Sequence, residues 1–236
     1  MTNAHLLLLS SSRAKQTDYL AHAKEMIKEH LGEIKELLFI PYAGITINYD
    51  EYTDMVQTAL ADLDIKVTGI HSYEDAAAAV KSAQAIAVGG GNTFHLLHQL
   101  YQNELLDVIR EKVSSGMPYI GWSAGSNVAG LSIRTTNDMP IIEPPSFNAL
   151  NLVGFQLNPH FTDYNPPGHN GETRSQRLAE FMVVDKETPI VAIVEGTALK
   201  LSRNKLSLIG PEPGFIFQGG DKSEIAPESD LSHLLN

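Results

Sequence analysis

MPYIGWSAGSNVAG, residues 117–130, runs from a short apolar segment into small residues and glycines, with two serines three positions apart. The apolar part reads as a buried strand, and the small residues after it as the start of a helix. Between them, Gly121-Trp122-Ser123-Ala124-Gly125 fits the G-x-S-x-G pattern of a nucleophile elbow. In such an elbow a sharp turn holds the central serine in a strained conformation, with its Oγ projecting above the sheet. Glycines two before and two after avoid clashes where chain segments crowd. Ser126 has no glycine two before it and is expected at the helix start, helping to cap it. Five residues of this kind also fit an ordinary Gly-rich turn, so the rest of the chain has to decide.

Working outward, HLLLLS (5–10), KELLFIPYA (35–43), DIKVTGI (64–70), QAIAVGGG (84–91) and MPYIGWS (117–123) read as strands. Helices are expected between them, at about 14–30, 51–63, 73–82 and 93–114. Tyr19, Ala23, Met26 and Ile27 have the spacing of one apolar helix face. Alternation of this kind predicts a three-layer α/β fold, a mostly parallel sheet with helices on both faces. Beyond residue 130 the pattern loosens. Strands are expected at 151–161 and 189–196, a helix at about 172–182, and a hairpin around Arg203-Asn204. With no linker, low-complexity stretch or internal repeat, residues 1–236 are expected to form a single domain.

Bulk properties narrow the function. The net charge of −11, with no basic run, argues against nucleic acid or an anionic membrane as partner. No apolar run is long enough to span a bilayer, and no secretion signal opens the chain. The absence of cysteine removes thiolate catalysis, disulfides and Cys-based zinc sites, and fits a cytoplasmic protein.

A second strand ends in VGGGNTFHLL (88–97). Three glycines expose backbone N–H groups there, and Asn92 or Thr93 suits the cap of the following helix. The loop lacks the lysine of a P-loop, so an oxyanion hole is the better use. Gly91, or its neighbour Gly90, would pair with the N–H of Ala124. A serine nucleophile needs a base, normally histidine, oriented by a carboxylate. Of nine histidines, His5, His22, His30, His71 and His233 have unremarkable settings. His95 and His98 have an i, i+3 spacing but no third ligand in view, so no metal is expected. His160, directly after a proline at a strand end, is the leading base, with His169 in PPGHNGE as its rival. Asp138, Asp163 and Glu195 all qualify as the acid by type, and Glu195 stands at the end of an apolar strand.

Taken together, VGGGNTF, YIGWSAGSN, IRTTNDMPI, NPHFT, GHNGETRSQR and VEG resemble the peptidase E family of α-aspartyl dipeptidases. With PYAGIT, DEYTD and VTGIH, the likeness runs from about residue 5 to about residue 220. The resemblance implies a fold like that of class I glutamine amidotransferases, with serine where those enzymes use cysteine. It implies a cytoplasmic serine peptidase that cleaves dipeptides bearing an N-terminal aspartate and needs no cofactor. Carried over by motif, Ser123 is the nucleophile, His160 the base and Glu195 the third member, with Asp138 the competing third member. Gly91 and Ala124 would supply the oxyanion N–H groups. Arg174 would read the substrate's side-chain carboxylate, and Arg177 one turn later is the second suspect. The order serine, histidine, acid differs from that of α/β-hydrolases. Ser126 stands where the family carries alanine. A related peptidase of cyanophycin or β-aspartyl substrates, and a non-catalytic module binding a small anion, stay open as alternatives. Monomer and homodimer are equally compatible, and no partner for the substrate's amino group is identified.

Overall fold

Side chains along the first strands alternate between two buried faces. The computed structural model describes residues 3–168 and 170–235. In β1 (His5–Leu9), Leu6 and Leu8 join one core cluster while Leu7 and Leu9 join another. The same division holds in β2 (Glu36–Ile40), where Leu38 and Ile40 face one way and Leu37 and Phe39 the other. A strand with both faces covered has no polar side to show, which is why HLLLLS reads as a continuous apolar run. One face packs against α1 (Lys24–Leu31) and α2 (Tyr49–Ala59). The other packs against α3 (Ala76–Ser82), α4 (Thr93–Gln102), α5 (Leu105–Ser114) and α6 (Ala124–Asn127).

With β3 (Lys66–Gly69), β4 (Ile86–Val88), β5 (Pro118–Trp122), β8 (Ala198–Ser202) and β9 (Lys205–Ile209), these strands form a seven-stranded sheet ordered β3-β2-β4-β5-β1-β8-β9. The five strands from β3 to β1 are parallel, and the β8–β9 hairpin adds antiparallel to β1. β6 (Gln156–Asn158), β7 (Ile190–Ala192), β10 (Gly214–Gln218) and β11 (Asp221–Ile225) form a second sheet, ordered β11-β10-β7-β6. Only its β6–β7 pair is parallel. The expected mostly parallel sheet with helices on both faces is the seven-stranded one, and the expectation is corrected only in that β6, β7, β10 and β11 form a separate, largely antiparallel sheet. The second sheet packs on α7 (Arg174–Val184) through Phe161, Leu178, Met182, Ile190 and Phe217.

Several boundaries differ from the sequence reading for local reasons. The helix expected from about residue 14 begins as a 3-10 turn at Ala21–Ala23, after Leu20 in a left-handed conformation (φ 56°). The helix expected over 93–114 breaks in two. Asn103 caps α4 with its side-chain amide on Gln99 O, and Glu104 turns left-handed (φ 54°). The strand expected over 151–161 shrinks to three residues. Leu150, Asn151 and Leu152 instead donate their N–H groups to the 128–130 segment. Among the described residues, no helix is long and apolar enough to cross a membrane.

Candidate active site

Parallel strands bring their carboxyl ends to one edge of the sheet, where loops are free to carry chemistry. The ends of β1, β4 and β5 meet there. Ser123 follows β5 with φ 55° and ψ −114°, a region that costs a non-glycine residue about 1–3 kcal/mol. The surroundings enforce this conformation. Ser123 N–H donates to Leu9 O at 3.2 Å, and the N–H groups of Ser126 and Asn127 return to Ser123 O at 3.0 and 2.9 Å. A side chain at Gly121 would run into Gly125 O, and one at Gly125 into Val88 O. The two glycines of the motif are thus required by close backbone approach. The expectation that Ser126 caps the helix is corrected. Its hydroxyl is fully buried, lying 2.6 Å from Leu9 O and 2.9 Å from Gly121 O, and it fastens the elbow to β1.

The glycine loop after β4 lies against the elbow. A Cβ on Gly90 would come within 2.9 Å of Ser123 Cβ. Gly91 has φ 140°, and Asn92 N–H donates to Ala43 O at 2.9 Å. Asn92 then caps α4 by accepting from His95 N–H. Ala124 occupies the first helical position of α6, where an N–H has no acceptor within the helix.

His160 and Glu195 come from the second sheet. His160 follows β6 and Pro159 with φ 55°. Its backbone is held in place, because His160 N–H donates to Ser10 Oγ at 2.9 Å and Ser10 Oγ–H donates to Ile193 O at 2.8 Å. Glu195 lies in the turn after β7, where Thr197 N–H closes on Val194 O at 3.1 Å and Gly196 has φ 90°. Glu195 Oε1 is 2.7 Å from His160 Nδ1, and Ser123 Oγ is 2.9 Å from His160 Nε2. A carboxylate can only accept, so Nδ1 carries the proton and Nε2 is left to accept from the serine hydroxyl.

Asp138 lies elsewhere. Its Oδ2 accepts from Thr93 N–H at 2.7 Å and Thr93 Oγ–H at 2.5 Å, while Glu195 occupies the histidine nitrogen that a third member needs. Asp138 still lines the same pocket of about 250 Å³, together with Ser123, Ala124, His160 and Arg174. Arg174 enters at the first position of α7, after a capping box in which Thr173 and Gln176 bond reciprocally. Its guanidinium is half-buried, and Nη1 is shut off from solvent with no hydrogen-bond partner among the described residues. Burial and the neighbouring Arg177 charge draw its pKa down, opposed by Glu195 and Asp138. Arginine remains cationic even so, which puts a positive donor at the pocket.

The remaining candidates disperse. Asp163 forms an ion pair with Lys222 and accepts from Ser175 Oγ–H at 2.5 Å. His95 and His98 each bond a different backbone carbonyl, those of Tyr42 and Glu143. Arg177 pairs with Glu172 at 3.8 Å, and His169 lies outside the described residues. Sequence reasoning missed Ser10 and Asn127. The Asn127 amide donates to Leu157 O at 2.7 Å, joining the elbow helix to the strand that leads to His160. Ser10 has no motif around it, and Asn127, although it ends the YIGWSAGSN block, shows its role only through a contact made in the fold.

Comparison with known proteins identifies the family and the fold. The family model described as "Peptidase family S51" matches residues 6–209. A Peptidase E from Shewanella baltica (strain OS155) is 59% identical over 230 residues, 97% of this chain and 97% of that protein. A Peptidase E from Shewanella amazonensis is 56% identical over 234 residues, covering 99% of this chain and all of its own length. The crystal structure of a peptidase from an acI-B1 Actinobacterium superposes with a TM-score of 0.73 at 18% identity, covering 98% of this chain and 97% of its own, which shows a shared fold. With a family match across most of its length and relatives this similar from end to end, the chain belongs to peptidase family S51, the peptidase E family.

Proposed function

We propose that the chain is a serine dipeptidase that hydrolyses dipeptides with an N-terminal aspartate through an acyl-enzyme on Ser123. His160 Nε2 takes the hydroxyl proton as Oγ attacks the carbonyl of the aspartyl residue. Glu195 orients the ring and stabilises the imidazolium that forms. The N–H groups of Gly91 and Ala124 receive the oxyanion. His160 then protonates the leaving amino group, and a water molecule, activated by the same histidine, releases aspartate and restores the serine.

The observation that carries the aspartate reading is Arg174, which lines the pocket that also holds Ser123 and whose buried Nη1 has no partner among the described residues. A carboxylate two bonds from the substrate Cα fits a planar guanidinium through two parallel hydrogen bonds. One more methylene, as in glutamate, would misplace either the carboxylate or the scissile carbonyl. Asp138 lines the same pocket and suits the substrate's free ammonium group. This gives it a binding role in place of the third-member role. The small pocket supports a residue-sized group in preference to a long polymer.

The test is a side-by-side assay of Asp-Leu, Glu-Leu, β-aspartyl dipeptides and cyanophycin, with Arg174→Ala in parallel. Asp-Leu is expected to be the best substrate, and Arg174→Ala to lower kcat/KM for it by about 10²- to 10³-fold, as loss of a buried charge partner does. Preference for a β-linked substrate, or retained aspartate selectivity in the variant, refutes the reading.

A further inference from the structure

The candidate oxyanion donors come from two separate chain segments, and one buried phenol touches the side chain or backbone of both. Tyr52, on α2, donates its O–H to Gly90 O at 2.8 Å. The same oxygen accepts from Trp122 Nε1–H at 3.4 Å and from Tyr19 O–H at 3.2 Å. Trp122 is the residue immediately before Ser123. A side chain on Gly89 would come within 2.7 Å of Tyr52 Oη, so the first glycine of the loop leaves the room that the phenol uses. The ring is fixed edge-on against Phe39, with centroids 5.0 Å apart, and Phe39 stacks on Trp122 at 5.6 Å. Burial pushes the Tyr52 pKa up, so the phenol stays a neutral donor.

We propose that Tyr52 is a positioning residue for catalysis: by holding Gly90 O from the core side, it aims the Gly91 N–H at the developing oxyanion. The peptide bond supplies the lever. In a trans peptide the C=O and the following N–H point in opposite directions, so fixing Gly90 O fixes the Gly91 N–H. Among the described residues no peptide is cis. The two bonds that Tyr52 accepts strengthen the one it donates, and the one from Trp122 ties its position to the strand that carries the nucleophile. The spacing between Ser123 and the donor loop is then set through one oxygen atom. A merely structural phenol would satisfy a buried carbonyl and affect melting alone.

The inference rests on the nucleophile and oxyanion roles proposed above, so its test includes a reagent that does not depend on the dipeptide. Wild type and Tyr52→Phe are compared in Asp-Leu kinetics and in the rate of inactivation by a small fluorophosphonate. Outright loss of one oxyanion donor costs about 10²–10³ in kcat, so its misorientation is expected to cost about 10- to 100-fold. The phosphonate rate should fall by a similar factor, with KM within about twofold of wild type. Equal inactivation rates, or a change confined to KM or melting temperature, overturn the proposal. If wild type reacts with the phosphonate but ignores Asp-Leu, the substrate reading fails and the phosphonate comparison still decides on Tyr52. No reaction with wild type overturns both. Should Tyr52→Phe not fold, Tyr19→Phe carries the test. It is expected to slow both rates by about two- to threefold through weaker polarisation of the Tyr52 oxygen, and unchanged rates refute the idea.

Discussion

Ser123 lies at the end of a strand buried on both faces, whereas Glu195 lies in a turn with its side chain 51% exposed. The first region is fixed by backbone hydrogen bonds, by close glycine contacts and by the fully buried Ser126. The second belongs to a smaller sheet, and His160 is itself 35% exposed. The division suits the proposed chemistry. A nucleophile and its oxyanion donors need a geometry that does not reorganise during the reaction. A base must hand its proton on and admit water for deacylation, which an exposed rim allows. The junction between the regions is the end of β1. Leu9 O receives Ser123 N–H, and the next residue, Ser10, holds the backbones of His160 and Ile193.

Ser123→Ala is expected to have the largest effect, lowering kcat for Asp-Leu by about 10⁶-fold while melting and circular dichroism stay close to wild type. Substantial residual turnover would place the nucleophile outside the rigid region. Next comes the contrast between two acids. Glu195→Gln should lower kcat by about 10²- to 10⁴-fold, the range for losing the carboxylate that orients the base. Asp138→Asn should act mainly on KM, because the carboxylate touches Thr93 and the pocket but not the base. Steady-state kinetics of the pair would show the reverse order if Asp138 were the orienting group. The smallest effect is expected at Ser126→Ala, which removes one buried donor from Leu9 O. It should lower stability by about 1 kcal/mol in urea denaturation and leave kcat within about twofold. A larger loss of activity than of stability would mean that the elbow itself had shifted.

The features legible in the sequence are those written into a few adjacent residues. The G-x-S-x-G elbow, the GGGN loop, and the β8–β9 hairpin at Arg203-Asn204 each combine a run of residues with a local backbone demand. Both turn residues of that hairpin have positive φ. Placing His160 beside Glu195 required the pairing of β6 with β7, which no local pattern announces, and there the family resemblance supplied the choice. The β10–β11 hairpin was missed because DKSEI is exposed at four of its five positions and carries no apolar alternation. Ser126 was misread because capping is the common use of a serine near a helix start, and its bond to Leu9 crosses 117 residues.

The backbone of Ser123 has one more consequence. At φ 55° and ψ −114° glycine would be more comfortable than any residue with a side chain, so the position is one where foldability and turnover pull apart. A lineage released from selection for peptide hydrolysis, but still selected for a stable chain, would be expected to drift toward glycine at position 123. A serine here works against the grain of its own turn, and the proposed catalytic role is what would offset that cost.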